Sequence, residues 1–310
     1  MHSAQFQYLE FEQQNIKVIL CFDYPLRKYL LYNKGMKITI TNDFDLNKIA
    51  DSGQCFRFNQ IGDNLYRTIF NGKILHIKEL GNNTYDFDCS KKEFETIWKK
   101  YFDLDTDYAQ IRKNMQSNKF LKECASFGEG IRILNQDKWE MLISFIISQR
   151  KSIPAIKTSI ERLCEACGDK IDDENYAFPS PVQIVSCKAS KLEACGLGYR
   201  LPYILNAANM MYENPHLLEA LDKKTCGKNI TDTNDELLLD ELKKLHGVGD
   251  KVASCVALFG FHRLNFFPKD VWINRALADK FPNGYDYEKY APYNGVVQQY
   301  IFYAYRTVNK

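Results

Sequence analysis

Two residues nineteen positions apart, Lys251 and Asp270, carry the chemistry this sequence suggests. A lysine attacks carbon only as its free amine, and in water it is overwhelmingly protonated. Lys251 falls in the first turn of the run DKVASCVALF, which reads as a helix. There the positive end of the helix dipole disfavours a cation and pushes the amine towards its neutral form. Burial in a pocket would push it further; a solvated surface lysine is the plain alternative. Asp270 follows Pro268 and precedes VWINRALADKF, the place of an N-cap aspartate. Capping alone accounts for it. A carboxylate held there stays ionised, and if it faces the same cavity as Lys251 it stabilises positive charge developing on a carbon as a leaving group departs.

The segment ELKKLHGVGDKVASCVALFGF places these chemical residues on a recognisable frame. One helix ends near Leu245, a Gly-x-Gly turn follows at Gly247 and Gly249, and a second helix opens at Asp250. Two glycines permit positive backbone dihedrals and let N–H groups approach a phosphate beside a helix N-terminus. Such a helix-hairpin-helix grips a nucleic-acid strand without reading its sequence. A purely structural connector would use the same glycines.

The elements that must position this hairpin change character along the chain. From Gln54 to about Cys89, β-rich runs such as LYRTIF and KILHIKEL alternate with turn signals at Gly62-Asp63-Asn64, Asn71-Gly72 and Gly81-Asn82-Asn83. This predicts an antiparallel meander. From Lys91 onward apolar residues recur three and four apart. Helices are expected at Lys138–Gln149, Ile153–Cys167, Leu201–Tyr212, Asp235–Lys244, Lys251–Phe259, Val271–Phe281 and Pro292–Val308. The fold class is α+β: a small antiparallel β-sheet domain at 36–135, then a mostly α-helical domain at 136–310 that contains the hairpin. Residues 1–35 show no clean period and read as an amino-terminal extension, with Met36 a candidate for the true start.

Composition narrows the class of protein. The 310 residues are 45% hydrophobic and 26% charged, enough for one large core or two modest ones. No apolar run reaches the roughly 20 residues of a spanning helix, and Ile16 to Phe22 lacks the flanks of a signal peptide, so a cytoplasmic location is expected. A net charge of +2 decides nothing about nucleic acid, because a local basic patch can sit on a nearly neutral protein. The ten cysteines are scattered in a long chain and predict reduced thiols. Only Cys164 and Cys167 have CxxC spacing, which suits two packing thiols one helical turn apart better than a metal site lacking its second pair. No cysteine follows Cys255, which excludes a carboxy-terminal iron-sulfur loop.

LHGVGDKVASC followed by FPKDVW resembles the helix-hairpin-helix DNA glycosylases with a Gly-Pro-Asp type loop, and within them the 8-oxoguanine glycosylase family. SGQCFRF at Ser52 to Phe58, YFDLD at Tyr101 to Asp105, the Ser144 to Ser148 helix, GLGYR at Gly196 to Arg200 and Gln298 to Phe302 resemble that family's segments in the same order. The resemblance runs from about Met36 to Arg306 and implies a TBP-like sheet domain before the helical one. It implies a bifunctional glycosylase and abasic-site lyase that flips an oxidised guanine out of double-stranded DNA, working as a monomer, nucleoid-associated if bacterial, with no metal or organic cofactor. By the same resemblance Lys251 attacks C1′ and forms a Schiff base, and Asp270 is the catalytic acid. Cys255 and Phe302 sandwich the base, Gln298 bonds its Watson-Crick edge, and the Gly53 carbonyl accepts from the N7 proton that distinguishes the lesion from guanine. From residue type alone Cys255 is an ordinary buried thiol, Phe302 a core residue, Gln298 a surface residue and Gly53 a turn glycine.

The resemblance also assigns DNA contacts to His246, Gly247, Val248 and Gly249, to Tyr199 as a wedge in the duplex, and to Arg200 at the cytosine left behind. The pattern departs where the family places asparagine and arginine around that cytosine: Arg150 and Ala155 stand there instead. His246 replaces a frequent proline, and Trp272 stands where a histidine is common, a replacement that would alter phosphate contact beside Asp270. Two readings stay open beside this one: a glycosylase for another damaged base on the same fold, and a noncatalytic helix-hairpin-helix DNA-binding module.

Overall fold

Alternation of buried and exposed side chains builds the sheet. In the computed structural model, which describes residues 17–18, 31–32, 35–227 and 233–308, five strands form one antiparallel sheet. They are β1 (Met36–Thr39), β2 (Asn59–Gly62), β3 (Leu65–Phe70), β4 (Lys73–Gly81) and β5 (Thr84–Phe87). The spatial order is β1-β5-β4-β3-β2. The predicted meander is therefore present, and the MKIT segment joins it beside the last strand, with Met36 opposite Phe87. Tyr66, Leu75, Ile77, Tyr85 and Phe87 turn inward on Trp98 and Phe102. The amino-terminal extension lies outside the described residues except for a two-residue pairing of Lys17–Val18 with Leu31–Tyr32.

Nine helices matter for the site: α1 (Leu46–Asp51), α2 (Lys119–Phe127), α3 (Lys138–Ser148), α4 (Ile153–Cys167), α5 (Leu201–Glu213), α6 (Asp235–Lys243), α7 (Asp250–Phe259), α8 (Val271–Lys280) and α9 (Asn294–Val308). All seven helices expected from periodicity are there, each with ends within two residues of expectation. Side-chain caps fix several starts: Asp45 accepts from Lys48 N, Asp137 from Glu140 N, and Asn234 from Leu237 N. The helices α1 and α2 lie outside the seven expected from periodicity.

The packing does not divide where the sequence does. The sheet has its own core, closed by Leu134, but Tyr108, Ile111, Leu121 and Cys124 from the 36–135 segment pack into the helical core with Tyr300 and Ile301 of α9. Arg132, fully buried, ties the loops of the 36–135 segment to one another by donating to the carbonyls of Asn42, Phe102 and Thr106. Cys164 is buried and Cys167 half-buried on α4, the packing pair expected of that spacing, and the described cysteines are free thiols. Among the described residues no cluster of three or more His, Cys, Asp or Glu is placed to hold a metal, and no helix is long and apolar enough to cross a membrane.

Candidate active site

The hairpin between α6 and α7 sets the frame. Gly247 has φ +83°, and a Cβ there would lie 2.4 Å from the Tyr203 ring, so only glycine fits. Gly249 corrects the expectation of two left-handed glycines. Its φ is −96° and it serves as the N-cap of α7, with open space where a Cβ would be. Its lack of side chain matters for what approaches from outside. Val248 is buried, while His246 is exposed, its ring centroid 4.6 Å from that of Tyr203. Gln149, at the end of α3, donates to the Gly247 carbonyl at 3.1 Å and ties the hairpin to the helix that carries Phe145 and Ser148.

Lys251 projects from the first turn of α7 and is half-buried. Its Nζ lies 3.4 Å from Ser148 Oγ and 5.0 Å from the Phe145 ring centroid. Asp270 caps α8 by accepting from Ile273 N at 2.8 Å, as its position predicts. Burial pushes the carboxyl above the ordinary aspartate range, against the opposing pull of the Ile273 amide and the Lys251 cation.

Lys251, Asp270, Gly53, Cys255, Gln298 and Phe302 line one cavity of about 60 Å³, together with Phe145, Phe259, Pro268 and Gln299. The structure thus brings together every residue expected to act on the sugar or hold the base. Cys255, one turn beyond Lys251, is 4% exposed, and burial raises its thiol while the Lys251 charge pulls the other way. Gln298 is 5% exposed, not the surface residue its type suggests, and its Oε1 has no partner among the described residues. A buried amide oxygen without a partner is costly in a closed protein and apt in one that receives a ligand donor there.

Gly53 sits at φ +79°, and a Cβ on it would stand 3.2 Å from the Phe302 ring. The carbonyls around it are all engaged: Arg306 donates to Asp51 O at 2.6 Å, Gln299 to Ser52 O at 2.6 Å, and Gln136 to Gln54 O at 2.9 Å. No hydrogen bond among the described residues uses the Gly53 carbonyl itself. The loop is pinned on both sides of the one acceptor it leaves open.

This cavity shares Gly53, Phe145, Lys251, Asp270 and Phe302 with a groove of about 920 Å³ whose rim carries Arg150, Lys151, Lys157, Lys269 and Trp272. Such a cationic rim suits a phosphate backbone. Arg150 and Ala155 are exposed, and Tyr199 stands out with 48% of its surface free. Arg200 departs from expectation. It is 6% exposed, donates from Nε to Gln149 O at 2.8 Å and from Nη1 to Leu197 O at 3.2 Å, and lies 4.3 Å over the Tyr199 ring. In this conformation it holds the Tyr199 loop against α3.

Sequence reasoning missed Phe145, Ser148, Gln149, Gln299 and Arg306. Phe145 and Ser148 share a face of α3 three residues apart, and Arg306 follows Phe302 by four on α9, so helical spacing could have added them once the first members were known.

Residues 37–142 match the family described as 8-oxoguanine DNA glycosylase, N-terminal domain, and residues 143–286 match the HhH-GPD superfamily base excision DNA repair protein. The fold is similar to a Clostridium acetobutylicum 8-oxoguanine glycosylase/lyase solved with double-stranded DNA containing cytosine opposite 8-oxoG. That likeness has a TM-score of 0.81 and 32% identity, covering 89% of this chain and 97% of that one. The Saccharomyces cerevisiae N-glycosylase/DNA lyase is 33% identical over 197 residues, 61% of this chain and 52% of that protein. A probable N-glycosylase/DNA lyase of Methanothermobacter thermautotrophicus is 29% identical over 215 residues, 62% of this chain and 64% of that protein. The chain thus spans between half and two thirds of the length of these two relatives.

Proposed function

The chain belongs to the 8-oxoguanine DNA glycosylase family of the HhH-GPD superfamily, and from that premise we propose that it excises 8-oxoguanine from duplex DNA and cleaves the strand at the resulting abasic site. The observation that carries the proposal is the single cavity lined by Lys251, Asp270, Gly53, Cys255, Gln298 and Phe302. An amine, a carboxylate, an open carbonyl, an unpartnered amide and a flat ring converge there.

The hairpin at Gly247 and Gly249 takes a phosphate, and Tyr199 enters the duplex where the lesion leaves it; these contacts offset the few kcal/mol that flipping costs. The base slides between Phe302 and Cys255. Its Watson-Crick edge meets Gln298, and its N7 proton meets the Gly53 carbonyl, an acceptor that guanine, itself an acceptor at N7, cannot use. The Lys251 amine in its unprotonated form bonds to C1′ as the C1′–N9 bond breaks and the base departs with the electron pair. Asp270 stabilises the positive charge that develops on the sugar. Loss of the C1′–O4′ bond gives the imine, which acidifies the 2′ hydrogen, and removal of that proton expels the 3′ phosphate. The same reading places the work wherever the DNA is held, the nucleoid in a bacterial cell.

Borohydride trapping on a duplex containing 8-oxoguanine tests this reading. The protein should form a stable crosslink, and Lys251→Gln should abolish it while largely sparing DNA binding. Full crosslinking by that variant would assign the nucleophile to another amine. Binding without base release or crosslink by the unaltered protein would leave a DNA-binding module only.

A further inference from the structure

Arg306 lies one helical turn beyond Phe302 on α9, is 4% exposed, and bridges the two walls of the base cavity. Towards the Gly53 wall its Nη2 donates to Asp51 O at 2.6 Å and to Asp51 Oδ2 at 2.8 Å. Its Nη1 would be 3.5 Å from a Cβ on Gly53. Towards the other wall its guanidinium lies 5.2 Å from the Phe302 ring centroid. Its Nε has no partner among the described residues. A buried guanidinium that commits one nitrogen to a carbonyl and an exposed carboxylate and leaves its Nε without a partner is a costly way to hold a helix end.

We infer that Arg306 is a positioning residue for base recognition: it fixes the spacing between the Gly53 carbonyl and the Phe302 ring, and its charge polarises that ring for the purine. The inference rests on the function proposed above and names what sets the width of that site. The geometric part follows from the fork. A rigid planar donor that reaches Asp51 O while touching Phe302 leaves the two walls little freedom to shift apart. The electrostatic part follows from the ring. A cation near the ring draws π density towards itself and leaves the ring a better stacking partner for an electron-rich base. Arg306 touches neither the sugar nor the reacting bond, so its effect should vanish when no base is present.

That last property gives the experiment. Single-turnover release of 8-oxoguanine is compared with cleavage of the same duplex carrying a preformed abasic site, for the unaltered protein, Arg306→Met and Arg306→Lys. Arg306→Met should slow base release between about 10- and 100-fold, the scale expected of a small misplacement of the reacting groups, while abasic cleavage stays within about 2-fold. Arg306→Lys, which keeps a cation but loses the fork, should slow base release less and again spare abasic cleavage. It carries the test alone if the methionine variant does not fold. Equal losses on both substrates would reduce Arg306 to a structural residue, and unchanged rates on both would remove the inference entirely. If the unaltered protein itself releases no 8-oxoguanine, the proposed function falls and takes this inference with it.

Discussion

The Lys251 amine lies 3.4 Å from Ser148 Oγ, and that hydroxyl donates in turn to the Phe145 carbonyl at 2.8 Å. The serine proton is therefore committed to the helix, and its oxygen is free to accept from the lysine. Ser148→Ala removes this acceptor without disturbing the wall beside it. The expected result is a 3- to 10-fold slower single-turnover base release, about 1 kcal/mol for one hydrogen bond, with DNA affinity unchanged. Rates equal to those of the unaltered protein would show that Phe145 and the helix alone hold the amine.

The hairpin glycines should respond differently to the same substitution. Gly247→Ala forces a side chain into the left-handed region and against Tyr203 at 2.4 Å, so it should lower stability by about 1 to 3 kcal/mol and weaken DNA binding together. Gly249→Ala adds a methyl where nothing lies within 4 Å and φ is −96°, so thermal stability should hold while affinity for duplex DNA falls. Paired melting and binding measurements separate the two. A stability loss at Gly249 as large as at Gly247 would contradict the assignment.

These contrasts show how far the sequence could be read. Seven helices were legible because their apolar residues keep a period of three and four, and the hairpin strands because their turn residues punctuate them. Gln298 was not legible from its type. Every residue of α9 from Asn294 to Ile301 is buried, so no polar face exists to mark which side looks into the cavity. Gly249 and Gly247 have the same letter and opposite signs of φ, and what bars a side chain at Gly247 is Tyr203, 44 residues earlier in the chain. Arg200 was assigned to a base by its motif alone, and what it bonds depended on a Gln149 carbonyl that no local pattern announces.

A buried acid away from the site should shape stability against pH. Glu140, on α3, is 7% exposed, and burial pushes its carboxyl from 4.5 up to about 8, with Arg57 opposing and Asp137 and Glu161 reinforcing. Between those two values the folded chain holds a proton that the unfolded chain has released, so stability falls as pH rises through that window. Glu140→Gln mimics the protonated form at every pH. It should match the unaltered protein below pH 4.5, grow progressively more stable relative to it up to about pH 8, and hold a constant advantage of a few kcal/mol beyond. Melting curves at several pH values that ran parallel throughout would show that Glu140 is ionised in the folded state.

Discrimination at the base opposite the lesion should be weak. Reading a cytosine edge takes donors and acceptors aimed into the gap that the flipped base leaves, each good pair contributing about 1 to 3 kcal/mol. Ala155 offers no donor, and Arg200 spends its guanidinium on the carbonyls of Gln149 and Leu197. Arg150 is exposed on a backbone with φ 51°, a charge able to meet a phosphate or any base edge without preferring one. Duplexes with cytosine, thymine or guanine opposite 8-oxoguanine should therefore be turned over at rates within about one order of magnitude, near the lower end of what a single bidentate contact separates. A strong preference for cytosine would mean that Arg200 leaves Gln149 when DNA binds, and Arg200→Met would then abolish the preference while leaving abasic cleavage intact.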